Sequence, residues 1–457
     1  MTLNSGPTTV HLPRFLDERP VGRLQYGVLA LCGLVMFLDG FDTQAISYMA
    51  PAISREWALP AAALGPVFSS ALVGLMIGYL AVSPLADRVG HRPMVIGATV
   101  AFAAITVLTA FAPSLPLLLV ARLIAGVGLG AAAPSAIALT SEYAPARLRA
   151  TFVLVIYCGF SLGFVAAGLV AGSMIPTLGW RSVFVAGGLV PLLLVPFLAR
   201  WLPESLAFAH RRSRPVEPVL RRIDPALPAD VAVTGPERPD GRRAPLARLF
   251  ERRWVFGTIL LWLAFAINLA EFYALQSWLP TLLERSSYPT SAVVAATTLT
   301  TVGGIAAALV TGPSMDRLGA TPTLGVLYLV GSGFVGVLGF GFGMPLWGLL
   351  VLTFLAGCCV SGGQKSVIAF ASLLYPAEMR STGVAWALGV GRIGGIAGPI
   401  VLGVAVAAGW STPQVFLAMG VPLLVAAAAV FALRDRTRGQ RPGTGVRGSR
   451  KSTRRIT

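Results

Sequence analysis

The sequence predicts an all-α membrane protein whose twelve transmembrane helices form two pseudo-symmetric six-helix bundles. Composition is the first reason: 55% of the 457 residues are hydrophobic, 12% are charged and the mean hydropathy is +0.75. That is more apolar surface than the core of a soluble domain can hide. The second reason is a series of apolar runs near the ~20 residues that a membrane-spanning helix needs. The third is an internal repeat between the two halves of the chain.

Twelve apolar runs follow one another along the chain. Their predicted bounds are 25–50, 62–83, 93–112, 114–140, 151–174, 182–201, 254–280, 291–311, 322–343, 345–371, 382–407 and 412–433. The first run follows a segment that does not look like a cleaved signal peptide, so we expect the first helix both to target the protein to the membrane and to anchor it there. The predicted units are an N-terminal segment at 1–24, a first bundle at 25–201, a connector at 202–253, a second bundle at 254–433 and a basic tail at 434–457.

Positive charges collect in every second loop. The arginine-rich segments are 84–93, 141–150, 202–253, 312–321, the turn around Arg380 and the tail from Arg434, whereas the other loops hold only Arg55, Arg181 and Arg285. Because cations collect on the cytoplasmic side of membrane proteins, we expect both termini to be cytoplasmic, in a bacterial inner membrane. The net charge of +17 then suits contact of the tail with anionic lipid head groups better than contact with nucleic acid.

The connector at 202–253 is the one large break in composition. It is rich in arginine and proline, and the prolines interrupt any long helical period. We therefore expect a cytoplasmic linker between the two halves, with short amphipathic pieces near 216–223 and 245–250 and no catalytic domain.

Polar residues in the first helix of each half repeat at a constant offset. Asp39 and Asp42 correspond to Asn268 and Glu271, since 268 − 39 and 271 − 42 both give 229. Asp39 and Asp42 are three residues apart and therefore share one face of a helix. Carboxyl groups in hydrocarbon are costly and are by default functional, so we predict that Asp39, Asp42 and Glu271 take part in proton transfer. The alternative is an aspartate locked to a basic neighbour for folding.

Two loop motifs also occur in both halves. The pattern P-x-x-D-R-x-G-x-x-P spans 84–93 and 313–322 (313 − 84 = 229), and P-A-x-x-R-x-T spans 145–151 and 376–382 (376 − 145 = 231). Matched order of the motifs predicts halves related by an axis along the membrane normal. Charged groups in such loops can hold neighbouring helix ends together. The predicted residues of this conformational latch are Asp87, Arg88, Arg149, Asp316, Arg317 and Arg380.

Residues 85–92, L-A-D-R-V-G-H-R, resemble the signature loop of the major facilitator superfamily, although Ser83 stands where a glycine is usual. Arg122 with glycines at 126, 128 and 130 resembles the fourth-helix motif of that superfamily, in which the arginine is linked to proton transfer; the alternative is an arginine that snorkels outward. More specific segments resemble the aromatic acid:proton symporter family. They are D-G-F-D at 39–42, G-W-R-S-V-F at 179–184, L-P-E-S at 202–205, S-W-L-P-T-L-L at 277–283, R-x-T-G at 380–383, G-R-I-G at 391–394 and G-P at 398–399.

This resemblance covers essentially the whole membrane region and implies the major facilitator fold. Two residues depart from the family pattern: Glu271 stands where an apolar or neutral residue is usual, and Lys365 matches no family motif. Helix five lacks the Gly-Pro pair of proton-driven exporters at 159–164, which favours uptake.

The resemblance also implies a cavity lined by helices one, four, seven and ten of the twelve. An aromatic carboxylate needs a cation, hydrogen-bond donors and aromatic walls, and the predicted substrate-binding residues are Tyr48, Tyr273, Gln276, Trp278, Gln364, Lys365 and Arg392. Lys365 is one of only two lysines in the chain, and a buried lysine changes its protonation readily. Our hypothesis is that Lys365 holds the substrate carboxylate. An ion pair with Glu271 and a side chain that snorkels toward the cytoplasm are the alternatives.

The sequence contains no nucleotide-binding loop, nucleophile elbow or zinc-ligand spacing, so we expect no cofactor, no metal and no enzymatic activity. The four cysteines lie in apolar runs and favour small buried side chains over a disulfide. We predict a monomeric, proton-coupled importer of an aromatic or related small carboxylate. The alternatives are a proton-driven exporter of hydrophobic compounds and a non-transporting membrane sensor of such acids.

Overall fold

The structure is a computed structural model that describes residues 8–227, 231–234, 246–375 and 377–433. Within these residues, twelve helices are long and apolar enough to cross a membrane, which confirms the predicted fold class. Their bounds are α1 Arg23–Glu56, α2 Ala61–Ile77, α3 His91–Thr109, α4 Leu115–Tyr143, α5 Arg149–Leu178, α6 Trp180–Trp201, α7 Val255–Arg285, α8 Thr290–Leu318, α9 Ala320–Leu338, α10 Leu346–Leu374, α11 Ala377–Ala407 and α12 Thr412–Ala432. The α2 segment continues through a π-helical turn and short helical turns as far as Val89.

The two halves of the chain pack in the same way. In the first half α1 packs on α5, α2 and α3 pack on α4, and α3 packs on α6; the equivalent pairs α7–α11, α8–α10, α9–α10 and α9–α12 build the second half. Gly163 of α5 lies against the carbonyl group of Phe37, and Gly394 of α11 lies against that of Ala266. These contacts are equivalent, since 266 − 37 = 229 and 394 − 163 = 231. The repeat in the sequence is therefore a repeat in three dimensions.

The halves meet through α1–α7, α2–α11 and α5–α8. We call the side of the molecule that carries residues 202–227 and 246–253 the connector side, and the other the opposite side. Contacts between the halves on the opposite side include two hydrogen bonds: Ser69 Oγ donates to the Ile396 carbonyl at 2.8 Å, and Gln44 Nε2 donates to the Gln276 carbonyl at 3.1 Å. The two halves are thus joined on the opposite side.

The connector side carries short elements outside the bundles. A helix at Glu217–Ile223 and a 3₁₀ turn at Leu246–Phe250 lie where the two short pieces were expected, and a further helix spans Leu206–Arg211. Strands β1 (Thr8–His11) and β2 (Val231–Thr234) pair in parallel, with Thr8 opposite Val231, which the sequence did not predict. The tail at 434–457 lies outside the described residues.

A further contact ties the N-terminal segment to the connector. Arg19 Nε donates to Asp224 Oδ2 at 2.9 Å, and this hydrogen bond lowers the pKa of the Asp224 carboxyl below its usual value. The Arg147 guanidinium donates to the Asp17 and Arg19 carbonyls at 3.1 Å each. The segment therefore links the connector to the turn between α4 and α5.

A buried ion pair fastens α1 to α4. Arg122 Nη1 lies 2.9 Å from Asp42 Oδ2 and 3.0 Å from Oδ1, while Nη2 donates to the Asp42 carbonyl at 3.1 Å. Thr106 of α3 donates to the same carboxylate at 3.1 Å. The Arg122 and Asp42 side chains are 0% and 2% exposed. This geometry supports the alternative in which an aspartate of the first helix is locked to a basic neighbour, and Arg122 does not snorkel outward.

We expect Gly163→Ala to lower the stability of the protein by about 1–3 kcal/mol, because the added Cβ would collide with the Phe37 carbonyl group of α1. Gly97→Ala is the matched control, since a Cβ at that exposed helical position would meet nothing within 4 Å. The measurement is the thermal unfolding midpoint of each purified variant in detergent. Equal midpoints for the two variants would contradict the close packing of α1 on α5.

We expect Arg122→Gln to cost about 3–5 kcal/mol, because it leaves the Asp42 carboxylate buried without its cation. Adding Asp42→Asn removes that charge and should recover part of the loss. Denaturation of the two variants in detergent, compared with the parent, tests this. A double variant no more stable than Arg122→Gln would show that the ion pair is not what holds α1 and α4 together.

Candidate functional site

Polar side chains from both halves gather at the middle of the helices. Arg392 of α11 is at the centre: its Nη1 donates to the Tyr273 hydroxyl of α7 at 3.1 Å, and its Cζ lies 5.1 Å from the centre of the Tyr79 ring in the π-helical turn that continues α2. The guanidinium also interacts electrostatically with Asp39 of α1 and Tyr157 of α5. We call these five residues the central cluster. It holds one cation, one carboxyl group and three phenols.

The cation of the central cluster has unused hydrogen-bonding capacity. Among the described residues, no carboxylate lies within ion-pair distance of Arg392, and the near partner of Asp39 is Thr43, whose hydroxyl donates to Oδ1 at 3.4 Å. Asp39 is 4% exposed, Arg392 is half-buried and Tyr157 is 39% exposed. A guanidinium so placed can bind an anion with its remaining N–H groups.

The structure brings three predicted site residues together, namely Asp39, Tyr273 and Arg392. Tyr79 and Tyr157 were not predicted, because the expected cavity was limited to helices one, four, seven and ten. In the structure α2, α5 and α11 also contribute side chains. A tyrosine inside each of two otherwise apolar helices was the available signal for these positions.

The two unusual residues of the second half do not pair with each other. Lys365 and Gln364 of α10 are half-buried, and Lys365 lies near Cys158 of α5. Glu271 is 5% exposed, and its Oε2 has no hydrogen-bond partner among the described residues. The Glu271–Lys365 ion pair considered as an alternative is therefore not formed in this structure.

The repeat shows why Glu271 lacks a partner. The position equivalent to Thr106 is Val335 (335 − 106 = 229), and the position equivalent to Arg122 is Thr353 (353 − 122 = 231). The Thr353 hydroxyl donates to the carbonyl of Leu350 in its own helix. A carboxylate buried without a cation is costly, so this setting favours the neutral, protonated form of Glu271.

Three other predicted substrate residues use their polar groups elsewhere. Gln276 Nε2 donates to the Thr301 hydroxyl at 3.1 Å, and Trp278 Nε1 donates to the Pro399 carbonyl at 2.9 Å. Tyr48 lines a cavity of about 280 Å³ on the opposite side. The structure does not bring these side chains into the central cluster, and Gln276 and Trp278 support the packing between helices.

The predicted latch residues lie on the connector side, and not all of their side chains are described. Asp87, Arg88 and Arg317 are exposed, and Arg149 Nε donates to the Ser141 carbonyl at 3.0 Å. The side chains of the remaining two latch residues, Asp316 and Arg380, lie outside the described part of the structure.

Glu204 holds the loop between α2 and α3. Its Oε1 accepts a hydrogen bond from the Arg92 backbone N–H at 3.1 Å, and its carbonyl accepts one from the Tyr143 hydroxyl at 2.6 Å. Gly90 has a φ of 108° and leaves room for the carboxylate, which a Cβ at this position would meet. From the sequence, this carboxylate could be noted only as part of L-P-E-S, because the loop that it contacts is far away along the chain.

Comparison with known proteins agrees with this architecture. The model of the Major Facilitator Superfamily matches residues 32–324 and 291–455. The 4-hydroxybenzoate transporter PcaK of Pseudomonas putida is 38% identical over 436 residues, covering 94% of this chain and 96% of that protein. The gallate transporter of Pseudomonas putida is 36% identical, covering 92% and 94%.

The fold is also that of a solved transporter. The crystal structure of a bacterial homolog of the human lysosomal transporter Spinster matches with a TM-score of 0.70 at 18% identity, covering 92% of this chain and 98% of that one. The family model and the relatives both extend over most of the chain. This chain therefore belongs to the major facilitator superfamily, whose members are transporters and not enzymes, and to the group that these relatives represent.

Proposed function

We propose that this protein imports an aromatic carboxylate together with protons by alternately exposing the central cluster to the two sides of the membrane. The observation that carries the proposal is Arg392, a cation at the interface of the halves with no described carboxylate within ion-pair distance. A guanidinium matches the two oxygens of a carboxylate, and the Tyr79 and Tyr157 rings suit an aromatic body. The relatives named for 4-hydroxybenzoate and gallate support this substrate class.

Protons enter the proposal through Asp39. A substrate carboxylate on Arg392 brings a second negative charge near Asp39, and repulsion between like charges favours protonation of one of them. Glu271, buried without a cation, is the second candidate proton carrier. The Asp42–Arg122 pair then keeps α1 in register with α4 while these groups change their charge.

The arginine-rich loops support a cytoplasmic connector side, and hence cytoplasmic termini. The halves are joined on the opposite side in this structure, which supports an arrangement that releases substrate toward the cytoplasm. We further propose that the protein works as a monomer in a bacterial inner membrane, with Gln364 and Lys365 of α10 as additional contacts for substrate oxygens.

The direct test is uptake of labelled 4-hydroxybenzoate into vesicles that contain the purified protein. We expect accumulation when the outside is acidic and loss of accumulation when a protonophore removes the gradient. Accumulation that is indifferent to the protonophore would exclude proton coupling. Outward movement against the substrate gradient would favour the exporter, and no substrate-dependent flux would favour the sensor.

The same vesicles test the assignment of protons to Asp39. Asp39→Asn mimics the protonated side chain, so this variant should exchange internal for external substrate but should not accumulate it. Glu271→Gln likewise mimics the protonated form of the second carboxyl group, and it should also exchange substrate without accumulating it if Glu271 carries a proton. Accumulation by Asp39→Asn at the rate of the parent would rule out Asp39 as a necessary proton carrier.

A pair of variants decides which cation holds the substrate carboxylate. We expect Arg392→Gln to raise the KM for 4-hydroxybenzoate by about 10- to 100-fold, which is the effect of losing a hydrogen bond to a charged group. Lys365→Gln, a matched neutralisation on α10, removes only an additional contact and should raise KM by less than Arg392→Gln does. A larger rise in KM for Lys365→Gln than for Arg392→Gln would show that Lys365, and not Arg392, is the main binding group for the substrate carboxylate.

A further inference from the structure

An ion pair joins the two halves at the surface of the opposite side. Arg55, near the end of α1, pairs through Nη1 with Oε1 of Glu284, near the end of α7, and the two side chains are 63% and 34% exposed. The Asp42–Arg122 and Glu56–Arg181 pairs, by contrast, lie within the first half. The Arg55–Glu284 pair is therefore placed to respond to movement of one half against the other.

The two partners occupy equivalent positions of the repeat. The difference 284 − 55 is 229, the offset that relates Asp39 to Asn268. Two equivalent residues can touch each other only where the axis that relates the halves passes between them. The pair therefore lies on that axis. Because the two equivalent positions carry unlike charges, their contact is attractive, whereas identical charges would repel.

The next residue along each of the two helices also carries unlike charges at equivalent positions, with the signs reversed. Glu56 is equivalent to Arg285, because 285 − 56 is also 229. Glu56 is engaged within the first half, where it accepts hydrogen bonds from Trp180 Nε1 and Arg181 Nη1, both at 2.7 Å. Arg285 is exposed and has no ion pair with a described residue. Of these two equivalent pairs of positions, the structure uses Arg55 and Glu284 to bridge the halves.

Two cavities flank the ion pair, and Arg55 and Glu284 line both of them. One has a volume of about 240 Å³ and reaches Leu64 of α2, and the other has a volume of about 280 Å³ and reaches Ala171 of α5 and Val294 of α8. Since α2 belongs to the α2–α11 contact and α5 and α8 form the other lateral contact between the halves, the cavities lie on the two sides of the axis. The ion pair therefore lies between the two cavities.

We infer that Arg55 and Glu284 gate the opposite side of the transport path, and that the flanking cavities are two parts of one vestibule. This inference rests on the proposed alternating exposure of the central cluster. A pair on the axis must break when the halves part on this side and re-form when they meet. Because exposed ion pairs are weak, the pair shifts the ratio of closed to open molecules by only about two- to fivefold, so it can break in every cycle.

The test measures access to a cysteine at Ala171, which lines the larger cavity and is 1% exposed. In a chain whose four native cysteines are replaced by serine, a membrane-impermeant maleimide is added from the opposite side. We expect Arg55→Gln and Glu284→Gln each to raise the labelling rate by about two- to fivefold. Arg285→Gln is the matched control, because it neutralises an exposed arginine of the smaller cavity without breaking an ion pair.

The charge swap Arg55→Glu with Glu284→Arg should return the labelling rate to that of the parent. Labelling of the swap at the rate of the single variants, or of the single variants at the rate of Arg285→Gln, would overturn the gate. If one single variant is not recovered from the membrane, the other carries the test, and a cysteine at Val294 is the second reporter. Labelling needs no substrate, so failure of the gate and failure of the proposed uptake are distinguishable.

Discussion

A charge inside the bilayer has to be paired, hydrated or neutralised, and the centre of this molecule meets that constraint in three ways. Asp42 and Arg122 pair with each other in a buried site. Arg392 is surrounded by phenols that stabilise the cation without cancelling its charge. Glu271 has no cation beside it and favours its neutral form. In the proposed function, the first arrangement is a rigid support, the second offers a cation to an anionic ligand, and the third supplies a proton that can be released.

Duplication explains how these solutions came to coexist in one fold. Contacts that let backbones approach closely occur in both halves, as at Gly163 and Gly394, because the helices of either bundle can come this close only where the side chain is small. Polar positions are free to diverge, since one site between the halves serves the whole molecule. The position in the second half that is equivalent to Arg122 accordingly holds a threonine, Thr353. The two bundles therefore differ in charge although their helices pack in the same way.

The helices could be predicted from the sequence because lipid selects long apolar runs, whereas the helix ends could not. The first helix extends over Arg23–Glu56 rather than 25–50, since hydropathy marks the part in lipid and a helix continues into polar surroundings. Arg392 could be predicted because an arginine stands out in an apolar run. Tyr79 and Tyr157 stand out in the sequence, but their place in the central cluster could not be predicted, because a largely apolar helix does not reveal which face meets the other half. Pairing of two distant four-residue strands leaves no local pattern at all.

The separation of Asp39 from Arg392 matters as much as their proximity. If the two formed a direct ion pair, an incoming carboxylate would have to displace Asp39 before it could bind. Instead Thr43 donates to Asp39, and the guanidinium stays within electrostatic range but unpaired. The empty site then holds one positive and one negative charge, and a bound anion makes it two negative charges against one positive. In a medium of low dielectric constant that excess is costly, and one proton removes it. In the proposed mechanism, coupling of substrate to proton therefore follows from the number of charges in this site.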